Sequence, residues 1–541
     1  MFDYDKFYKE SSVDANSDPS RFSRIASLCL GKVLDIGCCF GVLADYFFGD
    51  YTGLDFSEEA LKKAKSVRRE DAKFSLRDCS DLTDFDFSSY STIVITEFLE
   101  HFIDDEKILG PIFARAKPGT RLIISCPNGP RIPDPSHVRE LTIPELRKKF
   151  SPFGKVKFYN WPGERVQILM TCDLGQKNDD LVSLAMVVKD EEKGLERAVL
   201  SCIEFVDNIV ISVDSKSTDK TLEIAKLYAD TLKIHVFEDD FSKMRNDAHS
   251  GVKTKWILFL DGHEYVSRKD DLEKFLAFPV DCLLVTVRLE SDFAFSNMRF
   301  YKNGIQFEGK IHEKQICKTI QYYPGFLVEH GRLGVQTPEA IAFRARQCDD
   351  MVPRILGAEL KKNPKSLRAL FHLAIFYQVA KNYKKALSLY SKFLKYCRNS
   401  QERWFVLFQS CGCLVSTNHL FRAFWFACSA ESEMPNRWET SKLKGLIFFR
   451  KKNYAKALDY FVDSIKDNVG VTLFKPWDRD LSPTWNLIGE CFFNLRNYEK
   501  AFHAFSRSAQ LCKNEDAKKF LNERAKLMYD IFRDSLKPSF K

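Results

Sequence analysis

The stretch Trp256-Ile-Leu-Phe-Leu-Asp-Gly-His-Glu264 sets an apolar run directly against four polar or small residues. The apolar run predicts a buried strand, and the polar tip would lie at its carboxyl end, where open α/β sheets bind ligands. Asp261 and His263 are two residues apart, so on an extended segment their side chains point the same way. A carboxylate and an imidazole placed together could hold a divalent cation against a diphosphate. The alternative is a strand followed by an ordinary polar turn.

The composition is that of a folded protein with several domains. A chain of 541 residues exceeds one hydrophobic core, and it is 45% hydrophobic and 29% charged. The formal net charge of +8 is small for this length, and no segment concentrates Lys and Arg as a nucleic-acid binder would. We therefore expect two to four domains and no nucleic-acid partner.

The cysteines and the apolar runs indicate the compartment. Sixteen cysteines are scattered without Cys-x-x-Cys pairs, which favours reduced thiols over a disulfide framework. The amino terminus has no basic region followed by an apolar one, and no apolar run approaches the eighteen or so residues that span a bilayer. We expect a soluble, cytoplasmic protein with no membrane span.

The first region carries a glycine loop between a strand and a second strand that ends in an acid. Lys32-Val-Leu-Asp-Ile36 predicts a short buried strand, which ends in Gly37-Cys-Cys-Phe-Gly41. Glycines at this point let backbone amides approach a ligand closely. The next predicted strand, Tyr51-Thr-Gly-Leu54, ends in Asp55, which is placed to accept hydrogen bonds from ribose hydroxyls.

These motifs resemble, in order and spacing, the class I S-adenosylmethionine-dependent methyltransferases. VLDIGCCFG (33–41), GLD (53–55) and EFLEHFIDD (97–105) carry the resemblance, which spans residues 30–170. KPGTRLIISCPN (117–128) and HVRELTIPEL (137–146) look like the branch that methylates quinones and sugars. The resemblance implies a Rossmann-like domain over residues 1–175. It also implies a set of residues that bind S-adenosylmethionine: Asp35, Gly37, Cys39, Gly41, Asp55, Asp78 and Glu97.

This region contains one departure from the family pattern and two candidate catalytic histidines. Cys39 stands where the family usually has a third glycine, and its Cβ narrows the loop. His101 and His137 are candidates to remove a proton from an acceptor hydroxyl, with His101 named as the catalytic residue. A structural histidine at a helix start is the alternative for His101.

A second α/β region begins after the polar segment 173–180. Leu181–Val188 and Asn208–Val213 read as buried strands, each followed by acids. Ser217, Thr218 and Asp219 offer capping groups at a helix start, which is a natural anion or ribose site.

This region resembles glycosyltransferase family 2. The motifs are MVVKDEE (186–192), VDSKSTDKT (213–221), DFSKMRNDAH (240–249), WILFLDGHE (256–264), GKIHEKQ (309–315) and VEHGR (328–332). The resemblance implies a GT-A domain over residues 181–335 that transfers a sugar from a nucleotide diphosphate, commonly uridine diphosphate, with inversion. The residues implied to bind the nucleotide sugar are Asp190, Asp214, Asp219, Arg245 and Asp261.

The resemblance also implies a metal and a base. Asp261 matches the first acid of the family's Asp-x-Asp motif, but His263 replaces the second, which favours Mn²⁺ over Mg²⁺. The expected metal ligands are Asp261, His263 and His312, and His330 competes with His312 for its role as third metal ligand or diphosphate contact. Glu313 or Glu264 is the expected base, because a partly buried carboxylate can be tuned to accept the hydroxyl proton.

The last region repeats a short pattern. KNYKKAL (381–387), KNYAKAL (452–458) and RNYEKAF (496–502) are nearly alike, and a degenerate copy surrounds Ala423. The pattern resembles tetratricopeptide repeats with a period near 34, interrupted by an insertion at 469–481. We expect an all-α solenoid over residues 340–541 with a groove for a protein partner or peptide acceptor.

Three hypotheses follow. The first is a bifunctional enzyme that glycosylates and methylates a glycan or glycoconjugate. The second is a glycosyltransferase whose repeats grip a polypeptide acceptor. The third is a repeat scaffold with two inactive α/β domains.

Overall fold

The computed structural model describes residues 8–13, 18–132, 134–160, 167–289, 294–311, 313–331, 338–466, 481–512 and 514–535. The chain divides into two compact units, one of Met1–Ser291, Asn297–Gly309 and Glu313–Gln336, the other of Asp292–Ser296, Lys310–His312 and Thr337–Lys541. None of the described helices is long and apolar enough to cross a membrane. Fifteen of the sixteen cysteines are described, and these are free thiols.

The first sheet contains the predicted glycine loop. Its strands are β1 (Val33–Ile36), β2 (Tyr51–Asp55), β3 (Lys73–Leu76), β4 (Thr92–Thr96), β5 (Arg121–Pro127), β6 (Gly154–Tyr159) and β7 (Gln167–Leu174). They lie in the order β3-β2-β1-β4-β5-β7-β6, parallel from β3 to β5, with β7 antiparallel to both β5 and β6. All of β1 is buried, because it pairs with β2 on one side and β4 on the other. The strand order reverses at β1, and such a point is where open sheets bind ligands.

Short helices flank this sheet. They are α1 (Pro19–Leu28), α2 (Glu58–Val67), α3 (Glu106–Arg115) and α4 (Ile143–Phe150). The glycine loop leads into a 3₁₀ turn, Val42–Asp45, rather than into a long helix. Ser57 caps α2 by accepting a hydrogen bond from the Ala60 amide, so the loop after Asp55 is fixed.

The second sheet is mixed. Its strands are β8 (Val182–Val188), β9 (Asn208–Asp214), β10 (Thr231–His235), β11 (Trp256–Phe259), β12 (Glu264–Lys269), β13 (Cys282–Leu289), β14 (Ala294–Lys302) and β17 (Ile320–His330). The order is β10-β9-β8-β11-β14-β13-β17-β12, and β8 to β11 are parallel to one another. A small separate ribbon pairs β15 (Phe307–Glu308) with β16 (Lys314–Gln315). The helices of this half are α5 (Leu195–Cys202), α6 (Thr221–Tyr228), α7 (Phe241–His249) and α8 (Leu272–Leu276).

Ion pairs join the two sheet regions within this unit. The Arg147 guanidinium lies 2.9 Å from a carboxylate oxygen of Asp230, and Arg24 lies 2.9 Å from Glu204. Both charges of the Arg147–Asp230 pair are mostly shielded from solvent. Complementary charge therefore fixes the first sheet region against the second.

The second unit is a series of helices. They are α9 (Pro338–Lys362), α10 (Leu367–Val379), α11 (Tyr383–Tyr396), α12 (Ser400–Ser416), α13 (Leu420–Glu433), α14 (Trp438–Arg450), α15 (Tyr454–Ile465), α16 (Ser482–Asn494), α17 (Tyr498–Leu511) and α18 (Glu515–Ser535). The architecture confirms the predicted class of two α/β regions followed by an all-α region. The predicted domain boundaries stay predictions, and most of the predicted insertion at 469–481 lies outside the described residues.

The repeated Lys/Arg-Asn-Tyr motif forms the turn between paired helices. Lys381 adopts a positive φ of 57°, which ends α10, and the Asn382 side chain accepts a hydrogen bond from the Lys385 amide to cap α11. The copies at Lys452-Asn453 and at Arg496-Asn497 have the same conformation and the same cap. Each motif thus stops one helix and starts the next.

Small residues make room for aromatic rings in each helix pair. A Cβ on Gly445 would lie 2.5 Å from a ring carbon of Phe461, and one on Gly489 would lie 2.6 Å from a ring carbon of Phe505. Both rings are fully buried. The glycines therefore allow close packing of the paired helices.

Adding a methyl group at Gly445 should destabilise the helical unit. Gly445→Ala places its Cβ against Phe461 and should lower the free energy of unfolding by about 1–3 kcal/mol, as overpacking does. Gly412→Ala is the matched control, because a Cβ there meets no atom within 4 Å. It should raise the free energy of unfolding by about 0.5–1 kcal/mol through helix propensity. Urea unfolding followed by circular dichroism measures both, and equal effects would contradict the packing account.

Candidate functional site

The first candidate site opens at the carboxyl end of β1. The Asp35 side chain accepts a 2.6 Å hydrogen bond from the Tyr51 hydroxyl and is 4% exposed. Burial raises the pKa of Asp35 to about 7, although the Tyr51 hydrogen bond acts in the opposite direction. Its charge is therefore sensitive to any cation that binds beside it.

The glycine loop has the backbone conformation that its sequence requires. Gly37, Cys39 and Gly41 all have positive φ, at 73°, 51° and 63°. A Cβ on Gly37 would lie 2.4 Å from a ring carbon of Phe98, so that position is confined to glycine. Cys39 adopts the left-handed conformation despite its side chain.

Asp55 holds this loop in place. One carboxylate oxygen accepts a 2.8 Å hydrogen bond from the Cys39 amide, and the other accepts a 2.9 Å bond from the Ser57 amide. Asp55 is 2% exposed, and burial raises its pKa. The acid at the end of β2 thus organises the loop, and any bond to a ribose would be additional.

A cavity of about 910 Å³ lies over this sheet edge. Most of the residues predicted to bind the methyl donor line it: Asp35, Gly37, Cys39, Asp55, Asp78 and Glu97. Gly41 is not part of the lining, because it packs against Phe74 behind the loop.

The far side of the cavity carries acids and imidazoles. Glu97 accepts hydrogen bonds from Ser125 at 2.9 Å and from Gln167 at 2.7 Å. His101 and His137 line the same side, with ring centroids 5.2 Å apart. Burial lowers the pKa of His101, so the imidazole favours its neutral form. Glu100, which the sequence reasoning passed over, lies beside them and is buried.

The second candidate site lies where β11 ends. The turn Asp261–Glu264 is closed by two hydrogen bonds, from the Glu264 amide to the Asp261 carbonyl at 2.9 Å and from the Asp261 amide to a Glu264 carboxylate oxygen at 3.0 Å. The other Glu264 oxygen pairs with Arg299, and the Glu264 side chain has no exposed surface. Burial raises the pKa of Glu264, and the Arg299 charge opposes that rise. The buried Glu264 side chain therefore stabilises the turn through its contacts with the Asp261 amide and Arg299.

Arg245 connects Asp261 to Glu313. Its guanidinium lies 3.8 Å from an Asp261 carboxylate oxygen and forms an ion pair with Glu313. The guanidinium also lies over the Phe259 ring, 3.8 Å from the centroid. Burial acts to raise the pKa of Asp261, but the charges of Arg245 and Arg299 outweigh it and hold this pKa below its usual value. Three of the predicted site residues are thus brought together.

An extended segment would point the His263 side chain in the same direction as that of Asp261. The two residues lie in a turn instead, so this expectation is not met. Nδ1 of His263 lies 2.8 Å from a Glu191 carboxylate oxygen, and its Nε2 lies 3.0 Å from Nε2 of His330. Among the described residues, the group of three donors close enough to share one metal ion lies in the other site. The predicted ligand His312 lies outside the described residues.

The remaining predicted residues form a linked set of loops after β8 and β9. Asp190 accepts a 2.8 Å hydrogen bond from the Thr218 amide, and Asp219 accepts a 3.0 Å bond from the Glu192 amide. Asp214, at the end of β9, lies 4.0 Å from the Lys189 ammonium. These acids thus lie in connected loops at one edge of the sheet. No sequence motif marks Arg299, which lies between Met298 and Phe300 in β14, a strand of mixed polar and apolar residues.

Two family models match the regions that contain the two sheets. Residues 30–171 match the family described as a methyltransferase domain, and residues 183–324 match glycosyl transferase family 2. The chain carries a methyltransferase domain and a family 2 glycosyltransferase domain. Neither match covers half of the chain.

Two curated proteins resemble shorter segments. A ubiquinone biosynthesis O-methyltransferase of Thiobacillus denitrificans is 31% identical over 109 residues, which are 19% of this chain and 47% of that protein. A TPR repeat-containing protein of Synechococcus elongatus is 39% identical over 83 residues, 15% of this chain and 20% of that protein. The chain thus spans about half of one relative and about a fifth of the other.

Two solved structures are similar to about a third of the chain. MamA is 14% identical, with a TM-score of 0.27, and the match covers 34% of this chain and 98% of MamA. PilF of Pseudomonas aeruginosa is 21% identical, with a TM-score of 0.28, covering 36% of this chain and 80% of that one.

Removing Arg299 should destabilise the unit that contains the second site. Arg299→Leu leaves the buried Glu264 charge without its partner and should lower the free energy of unfolding by about 3–5 kcal/mol near neutral pH. The pKa of Glu264 then rises further, so the loss should shrink as the pH falls and the carboxyl takes a proton. Urea unfolding at neutral and mildly acid pH measures both effects.

Arg288→Leu is the matched control. Its guanidinium is half-exposed and lies 3.3 Å from Glu329. Its loss should cost no more than about 1 kcal/mol. Equal costs for the two arginines would contradict the role of the buried pair.

Proposed function

We propose that this protein is a bifunctional enzyme that modifies a glycan or glycoconjugate. One activity is the inverting transfer of a sugar from a nucleotide diphosphate, with uridine diphosphate as the expected nucleotide. The other is the transfer of a methyl group from S-adenosylmethionine to a sugar or related small acceptor. The observation that carries the proposal is that one unit contains two sheets, each of which lies in a region that matches one of the two enzyme families.

The residues of the first site fit S-adenosylmethionine. The cavity is large, the loop below it is confined to glycine at position 37, and the buried acids Asp35 and Asp55 lie at the strand ends. The bound cofactor would supply a methyl group activated by a positively charged sulfur. Asp35 and Glu97 would face that charge, and Asp55 would fix the loop while Asp78 contacts the adenine. His101 and His137 lie on the acceptor side of the cavity.

The residues of the second site fit a nucleotide diphosphate with a cation. The imidazoles of His263 and His330 approach each other at Nε2, as two ligands of one ion do, and Glu191 orients His263 through Nδ1. Asp261 does not lie close enough to both imidazoles to share one ion with them in this structure. It would have to move toward them to complete a donor set of two imidazoles and one carboxylate, a set that suits Mn²⁺ better than Mg²⁺. A bound cation would neutralise the diphosphate as it leaves.

The protein's own residues then divide the remaining work. Asp190, Asp214 and Asp219 would hold the nucleoside, and Arg245 would contact the diphosphate. We assign Glu313 as the base that removes the acceptor proton. Glu264 is the weaker candidate, because both of its oxygens are already bonded and its side chain is fully buried.

A polypeptide acceptor is the second candidate. The capped helix pairs and the similarity to a TPR repeat-containing protein favour protein binding by the helical unit. Sugar transfer to peptides but not to glycans would favour this second function over the first.

Replacing Asp261 should abolish sugar transfer. We expect Asp261→Asn to lower kcat/KM by about a hundredfold or more, because the diphosphate loses charge stabilisation as it leaves. Release of the nucleoside diphosphate from a panel of nucleotide sugars with Mn²⁺ measures this. Glu273→Gln, which removes an exposed carboxylate on α8, is the control and should keep full activity. Undiminished turnover by Asp261→Asn would refute the assignment.

Position 39 should control the affinity for the methyl donor through backbone strain. Cys39→Gly removes a side chain from a positive-φ position and should bind S-adenosylmethionine at least as tightly as the natural protein. Cys39→Val should bind S-adenosylmethionine about tenfold more weakly. A β-branched residue disfavours the left-handed conformation by about 1–2 kcal/mol, which corresponds to roughly a tenfold change in the dissociation constant. Isothermal calorimetry measures both affinities, and tighter binding by the valine variant would contradict this account.

A further inference from the structure

Three side chains on the acceptor side of the methyl-donor cavity form a potential metal site. Glu100, His101 and His137 each offer one ligand atom, and these atoms all lie within 4.8 Å of one another. All three residues line the 910 Å³ cavity, away from the glycine loop. The cluster therefore faces the space where a methyl acceptor would lie.

Glu100 is the unusual member of this cluster. The residue is 2% exposed, and both carboxylate oxygens are buried without a hydrogen-bond partner in the described part of the chain. A buried carboxylate without partners is costly, so it either takes up a proton or pairs with a cation. Burial, with the nearby Glu97 charge, raises the pKa of Glu100 to about 8. In the described part of the chain, Glu100 thus has no hydrogen-bonded counter-charge, although the Arg21 and Arg139 charges act to lower its pKa.

The two histidines are held in place by the loop that follows β5. Nδ1 of His101 lies 3.1 Å from the Ser136 carbonyl oxygen, which can only accept a hydrogen bond. Nδ1 therefore carries the proton and Nε2 keeps its lone pair, the arrangement usual for a metal-binding histidine. The Val138 amide donates to the Glu100 carbonyl at 3.0 Å, which fixes His137 beside Glu100.

We propose that Glu100, His101 and His137 bind a divalent cation that chelates two adjacent hydroxyl oxygens of the methyl acceptor. The proposal rests on the methyltransferase function proposed above and deepens it. Two imidazoles and one carboxylate suit a first-row metal such as Mn²⁺. Three protein ligands leave coordination positions open for substrate, as catalytic metal sites do.

A cation here solves a chemical difficulty of methyl transfer to a sugar. A sugar hydroxyl is a poor nucleophile while it keeps its proton, and coordination to a metal strongly lowers the pKa of a bound hydroxyl or water. The coordinated hydroxyl releases its proton to solvent, and the oxygen forms a bond to the methyl carbon. The carbon–sulfur bond breaks, and its electron pair leaves the sulfur neutral. His101 then acts as a ligand and not as the proton acceptor.

The competing state is a protonated, neutral Glu100 that needs no metal. Titrating the full-length chain with Mn²⁺ at mildly alkaline pH, and following the paramagnetic resonance of free Mn²⁺, distinguishes the two states. Glu100→Gln preserves the shape of a neutral acid but removes the charge, and His137→Gln tests the site through a less buried residue. In each variant the affinity of this site for Mn²⁺ should fall at least tenfold, so that one fewer Mn²⁺ is bound per chain. Glu140→Gln, an exposed acid in the same loop, should lose none.

Two further measurements separate this proposal from those above. Asp261→Asn should remove a different Mn²⁺, so the losses in the double variant with Glu100→Gln should add. Calorimetry with S-adenosylmethionine should show that Glu100→Gln still binds the methyl donor, which also shows that the domain is folded. Unchanged Mn²⁺ stoichiometry in both Glu100→Gln and His137→Gln would overturn the metal site. Failure of the natural protein to bind S-adenosylmethionine would instead overturn the methyltransferase function.

Discussion

The ion pair between Glu264 and Arg299 is the interaction on which the second site depends. The Arg299 side chain reaches from β14 to a carboxylate that has no exposed surface. That carboxylate in turn accepts the hydrogen bond from the Asp261 amide that closes the turn. The buried charges of Glu264 and Arg299 neutralise each other, and the pair thus stabilises the turn that follows the apolar strand β11. Asp261 is presented outward because Glu264 is held inward.

The sequence predicts the parallel parts of the fold well. β8, β9 and β11 follow the apolar runs closely, because strands buried on both faces read as continuous hydrophobic stretches. The Lys/Arg-Asn-Tyr motif likewise predicts the helix pairs, and the structure supplies its cause in a left-handed residue followed by an asparagine cap. Strands β12 and β17 contain both polar and apolar residues, and they pair antiparallel although they are far apart in the sequence. Their pairing is therefore not legible from local pattern.

The site residues divide in the same way. Acids that end parallel strands, such as Asp55 and Asp214, are predictable because strand ends meet at one edge of a sheet. The direction of the His263 side chain is not predictable from the sequence. His263 lies in a turn and not on an extended segment, and its imidazole contacts Glu191 and His330. No sequence motif identifies Glu100 or Arg299. Arg299 is distinguished by its buried ion pair with Glu264, which is distant in the sequence. Glu100 is distinguished by burial without a hydrogen-bond partner among the described residues.

We propose that one compact unit holds two separate donor sites. The most direct test is a calorimetric titration of the full-length protein with uridine diphosphate and Mn²⁺, repeated in saturating S-adenosylhomocysteine. The account predicts one nucleotide and one S-adenosylhomocysteine bound per chain, each with an affinity that the other does not abolish. Binding of the two ligands in mutual exclusion, or absence of either, would contradict it.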